Sequence, residues 1–163
     1  MSVKPYLVVF ITTWYSFSMD DLNQRTIGEY FSALSRKTPV EWELLPDIGL
    51  YMDQVVTYLE RQLDIFRQPG DENLITPSMI NNYAKAKIVP RTEGKKYGQE
   101  HIALLLAVFT LKRVLSVQDM VSLCGDIGEL DETRRFYEQF REVLERSIGD
   151  TAAAVRSVDG YPT

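Results

Sequence analysis

T-P-S-M-I-N-N-Y-A-K-A-K-I-V-P-R-T-E-G-K-K-Y-G-Q-E-H, Thr76–His101, is the stretch that decides the architecture. Thr76 is a natural N-cap, and Pro77 suits the first helical position, where its missing N–H costs nothing. Met79, Ile80 and Tyr83 then recur three and four apart and turn one side of a short helix to a core. Ser78, Asn81, Asn82 and Lys85 are left on the outer side. Pro90 forbids further helix and pushes Val89 to extended geometry. Gly94, between charged neighbours in Thr92–Lys96, suits a tight turn. The expectation is a small hairpin, or wing, that ends at Tyr97 as the chain returns to the core. Gly98 opens the next helix.

Working outward, Leu50–Arg67 carries Val55, Val56, Leu59, Leu63 and Phe66 at helical spacing. Pro69–Asn73 is a surface loop. A long helix and a shorter second one joined by a generous turn make a helix-turn-helix pattern. Gln99–Leu115 is apolar almost all round, the mark of a helix buried on several sides and the spine of the domain. Ser116 caps a short helix over Val117–Leu123. Asp131 opens a last helix, lined by Phe136, Tyr137, Phe140, Val143, Leu144 and Ile148, that Gly149 is expected to end. Upstream, Asp20–Arg36 reads as a helix, and Trp42, Leu44 and Leu45 as a connection that plugs the core. The fold class is therefore mainly α: a winged helix-turn-helix core with a small wing hairpin and extra N- and C-terminal helices. One helical domain is expected over 19–148, its helix-turn-helix and wing at 50–123, followed by a flexible tail over 149–163.

Net charge is −5, which taken globally argues against a polyanion partner. The distribution is uneven. Between Thr76 and Leu115, Lys85, Lys87, Arg91, Lys95, Lys96, Lys112 and Arg113 stand against Glu93 and Glu100, a local +5 on a body of −10. A basic face on an acidic body can still bind a polyanion. A single cysteine, Cys124, excludes a disulfide framework and a cysteine zinc motif and fits a reducing, cytoplasmic setting. The single histidine, His101, near a helix start, reads as a surface or half-buried residue rather than a catalyst. There is no phosphate loop, internal repeat or set of paired metal ligands. Asp126 and Glu129, on a Gly-flanked loop, read as helix punctuation.

Residues 1–18 form an apolar prefix. Its run after Pro5 is about 13 residues long, short of the roughly 20 a spanning helix needs. Met19-Asp20-Asp21 looks like a natural start, so the prefix is expected to come from a start codon placed too early; a strand or a membrane-proximal anchor is the alternative.

Four segments carry a resemblance: L-P-D-I-G-L-Y-M-D-Q-V-V-T-Y-L (Leu45–Leu59), I-T-P-S-M-I-N-N-Y-A-K (Ile75–Lys85), K-K-Y-G-Q-E-H-I-A-L-L (Lys95–Leu105) and L-K-R-V-L-S-V-Q-D-M (Leu111–Met120). They resemble the bacterial family called domain of unknown function 1836, over about Asp20–Ile148. The middle of the chain also looks like the MerR-type winged helix-turn-helix. It departs from that pattern at Asn81-Asn82-Tyr83, where the MerR type carries Arg-Tyr-Tyr, and at Lys95-Lys96, where it carries Arg. No effector-binding cysteines follow, and the long C-terminal helix of that type is replaced by one expected to be shorter than 20 residues.

What the resemblance and the charge pattern together imply is a DNA-binding transcriptional regulator. Asn81 and Asn82 match adenine edges in the major groove. Ser78, Lys85, Arg91, Lys95 and Lys96 suit the phosphates of double-stranded DNA. The alternative is a protein-interaction module that kept the fold without DNA binding. A homodimer through the C-terminal helix is a further expectation. No catalytic constellation, no metal and no cofactor is expected, and no membrane partner is favoured.

Overall fold

In a computed structural model, residues 38–64, 74–92, 94–112, 114–125, 127 and 130–156 are described. The prefix 1–18, the expected Asp20–Arg36 helix, Phe66, the Pro69–Asn73 loop, Arg113, Asp126, Glu129 and the tail beyond 156 lie outside them. The chain divides into two compact units, residues 39–140 and residues 1–38 with 141–163.

Among the described residues there are five α-helices: α1 (Met52–Gln62), α2 (Pro77–Lys85), α3 (Gln99–Leu111), α4 (Val117–Cys124) and α5 (Leu130–Arg156). The protein is mainly α. A 3-10 turn over Trp42–Leu44 precedes them. α3 is the spine of the 39–140 unit: every residue from His101 to Thr110 is buried. α1 packs on both α3 and α2, turning Val55, Leu59 and, just past its end, Leu63 inward. Burial of side chains of this size stabilises by roughly 1.5–3 kcal/mol each. Trp42 and Leu45 plug the core as expected, but Leu44 is exposed, because the 3-10 turn rotates it away from its neighbours. Trp42 meets the ring of Tyr137 on α5 at a centroid distance of 6.2 Å. The Tyr137 hydroxyl donates to the Val40 carbonyl at 2.7 Å.

Three expectations change. α3 ends at Leu111, not Leu115; beyond it the Val114 and Leu115 N–H groups both bond the Leu111 carbonyl. α5 does not stop at Gly149, and at 27 residues it exceeds the expected length. Ala152–Ala154 are strong helix formers, Ala152 is buried, and Thr151 Oγ1 donates to the Ser147 carbonyl at 2.8 Å. Residues 149–156 are thus helical rather than tail. The wing hairpin is not seen among the described residues. Tyr97 pairs with Leu50 instead, through an isolated antiparallel bridge, Leu50 N to Tyr97 O at 3.0 Å and Tyr97 N to Leu50 O at 2.8 Å. Pro90 lacks the N–H that a ladder needs, and the backbone of Tyr97 is already committed to Leu50.

Candidate functional site

The surface that the sequence singles out is built on α2 and the loop after it. Thr76 Oγ1 accepts the Met79 N–H at 3.3 Å, and Pro77 occupies the first helical position. The helix is set against the core by Ile80, fully buried, and by Tyr83, whose ring stands edge-on to Phe109 of α3. Half-burial raises the Tyr83 phenol above its ordinary value. With those two residues inward, Ser78, Asn81, Asn82 and Lys85 are all exposed.

α2 closes in a full Schellman motif. Ile88 N–H bonds the Tyr83 carbonyl at 3.0 Å, and Lys87 N–H bonds the Ala84 carbonyl at 3.2 Å. This motif needs a left-handed residue at the position just past the cap, where glycine is usual. Lys87 fills it, at φ 60°. Ile88 and Val89 then turn into the core. The chain emerges at Arg91, which is exposed, and turns back at Gly94 and Lys95, both left-handed at φ 63° and 65°.

The basic residues divide into two groups by their partners. Lys85, Lys87, Arg91 and Lys95 make no ion pair or hydrogen bond through their side chains. Lys96 and Lys112 are engaged. The Lys96 stem lies over Gly49, where a β-carbon would sit 3.1 Å from the lysine Cβ, and its ammonium stands 5.4 Å above the Tyr51 ring. Lys112 Nζ donates to the Leu74 carbonyl at 3.1 Å and lies 4.9 Å from the centre of the Phe109 ring. Part of the positive charge counted in the sequence is therefore tied to the fold. All seven site residues expected from the sequence sit on α2 or the 91–96 loop and are exposed. The roles of Tyr51 under Lys96 and of Lys87 at the cap have no local signal, since each depends on a contact or a backbone twist that spacing does not encode.

His101 is buried rather than half-exposed. Its Nδ1 accepts the Gly98 N–H at 3.1 Å and so caps the start of α3. The Tyr97 ring stands 5.7 Å away at 82°. Glu100 Oε1 is 2.7 Å from the same Nδ1, but one nitrogen cannot accept from Gly98 and donate to Glu100 at once. The other ring nitrogen, Nε2, is buried and has no partner. Among the described residues no group of three or more His, Cys, Asp and Glu side chains could hold a metal ion, and no helix is long and apolar enough to cross a membrane.

An outward face of two carboxamides and a hydroxyl, followed in the chain by exposed unpaired cations, can offer hydrogen bonds to planar polar edges and charge to an anionic backbone. The profile of the family described as Domain of unknown function (DUF1836) matches residues 40–140, which is within one residue of the compact unit at 39–140. No curated protein and no solved structure matches the chain.

Proposed function

The chain belongs to the family described as Domain of unknown function (DUF1836), and we propose that it is a DNA-binding transcriptional regulator working in the cytoplasm. In this reading α1 and α2 form a MerR-like helix-turn-helix, and the Arg91–Lys96 segment serves as the wing although no hairpin is seen there among the described residues. The observation that carries the proposal is the outer face of α2. Ser78, Asn81, Asn82 and Lys85, three and four apart along the helix, are exposed, and Arg91 and Lys95 later in the chain are exposed and unpaired. Asn81 and Asn82 read base edges in the major groove, where the carboxamide matches adenine. Lys85, Arg91, Lys95 and Lys96 follow the phosphates, and Ser78 adds a neutral hydrogen bond to them.

Selection of bound sequences from a random duplex pool at moderate salt tests this. A defined motif is the expected result. No enrichment, and no binding at about 50 mM salt, where phosphate contacts are strongest, would turn the reading toward a protein-interaction module. One observation favours that second reading: α4 leaves Val117 and Val121, one turn apart, and Leu123 exposed. Homodimerisation through α5, which leaves Val143 exposed, completes the proposal for a regulator that binds paired half-sites.

A further inference from the structure

Lys87 stands outside the set of contacts assigned above, yet it is the residue whose backbone costs the fold most plainly. It occupies the left-handed position of a Schellman motif at φ 60°. A β-carbon is disfavoured there and glycine is not. The same chain places glycine at Gly94 for the same backbone region, φ 63°, and then lysine again at Lys95, φ 65°. So both non-glycine left-handed residues among the described ones are lysines, both are exposed, and neither side chain has a partner. No ion pair or hydrogen bond of the side chain offsets that backbone at either position. What each adds is an unpaired charge on a stem whose root is held by a rigid turn.

We infer that Lys87 is an additional phosphate-contacting residue, carried on the helix cap so that its ammonium extends the cationic track from Lys85 toward Arg91 and Lys95. This rests on the DNA-binding reading. The ligand chemistry is the phosphodiester backbone, recognised by charge and indifferent to sequence.

Salt titrations of binding to the selected duplex, for wild type and for Lys87→Gly, Lys87→Asn and Lys87→Arg, test the inference alongside thermal unfolding. Lys87→Gly is expected to raise the melting temperature, because glycine removes the left-handed penalty. It is also expected to weaken binding, with the log–log salt slope shallower by about 0.9, one phosphate contact. Lys87→Asn, which tolerates the same backbone, should lose the same slope, and Lys87→Arg should retain it. A more stable Lys87→Gly protein with an unchanged slope would overturn the inference while leaving the DNA-binding reading intact. Absence of salt-dependent binding in the wild type would remove both.

Discussion

The ring of Tyr83 on α2 stands edge-on to that of Phe109 on α3, with centroids 5.5 Å apart and planes at 88°. This contact and the burial of Ile80 fix the rotation of α2 about its axis. Rotation in turn decides which side chains face water, so an aromatic pair in the core positions Asn81 and Asn82 outside. Edge-to-face pairs contribute about 0.5–1.5 kcal/mol beyond the area they bury. Tyr83→Ala is expected to cost about 2–4 kcal/mol in urea unfolding, near the lower part of the range for aromatic truncation because the ring is only half-buried. Tyr83→Phe keeps the ring contact and should stay within about 0.5 kcal/mol of wild type. A stable Tyr83→Ala protein would mean that α2 is not held by this pair.

Asn81→Ala and Asn82→Ala should each leave stability within about 1 kcal/mol, since both positions are exposed. Each should cost roughly 1–3 kcal/mol of specific DNA binding, with discrimination lost at one base pair. Competition between matched and singly mismatched duplexes measures this. Equal loss on matched and mismatched duplexes would assign the pair to the backbone instead of the bases.

The cations should separate by role. With four or five phosphate contacts, the salt slope of the wild type is expected near −3.5 to −4.5. Lys95→Ala should flatten it by about 0.9 at little cost in stability. Lys112→Ala should do the reverse. It removes a charged hydrogen bond to the Leu74 carbonyl and a cation over Phe109, a loss of about 1–3 kcal/mol of stability, and leaves the slope alone. Lys96→Ala should do some of both, because its stem covers Gly49 and its ammonium covers Tyr51. A slope change on replacing Lys112 would place that side chain on the DNA face and contradict the partition.

Legibility in the sequence followed the range of the interaction that decides each feature. The start of α2 is written in Thr76 and Pro77, neighbours whose capping chemistry acts within four residues, and it falls where the residues indicate. The spine α3 is legible because its apolar character is unbroken, yet its end is not. Val114 and Leu115 continue the apolar run into a turn that α3 does not include. The exposed face of α2 follows from the position of Ile80 and Tyr83. The partner of Tyr97 does not: Leu50 lies before α1, and nothing local to either residue announces the bridge between them. Gly149 reads as a stop, but a helix already held by Leu144, Ile148 and Ala152, all buried, can carry a glycine costing about 1 kcal/mol relative to alanine. The engagement of Lys96 and Lys112 is likewise tertiary, so a count of charges along the sequence overstates those free to meet a ligand.

Cys124 is buried at the end of α4, and burial pushes its thiol up to about 11. The thiolate is the reactive form, so at pH 8 the native protein should react very slowly with an aromatic disulfide reagent. Reaction should accelerate sharply through the unfolding transition and report on α4. Rapid reaction under native conditions would show that α4 opens far below the global transition.

α4 has only eight residues, and its start depends on a reciprocal cap. Ser116 Oγ accepts the Asp119 N–H at 3.1 Å, while Asp119 Oδ2 accepts from Ser116 N–H at 3.1 Å and from its hydroxyl at 2.6 Å. Ser116→Ala should cost about 1 kcal/mol, as N-cap truncations do. The two bonds from Ser116 hold the Asp119 carboxyl below its ordinary 3.8, the side-chain bond being the larger cause. A carboxyl whose folded pKa is depressed stabilises the fold fully above its unfolded value and loses that contribution as pH falls through the folded one. The stabilisation due to Asp119 is therefore expected to be constant from neutral pH down to about pH 4.5 and to fade below 3.8. Thermal unfolding of wild type and Asp119→Asn across pH 2–7 reads it directly. Wild type should be the more stable at pH 7, with the gap closing as the solution is made more acid than the ordinary carboxyl range. A gap that stays constant down to pH 2 would show that ionisation of the Asp119 carboxyl plays no part in the cap.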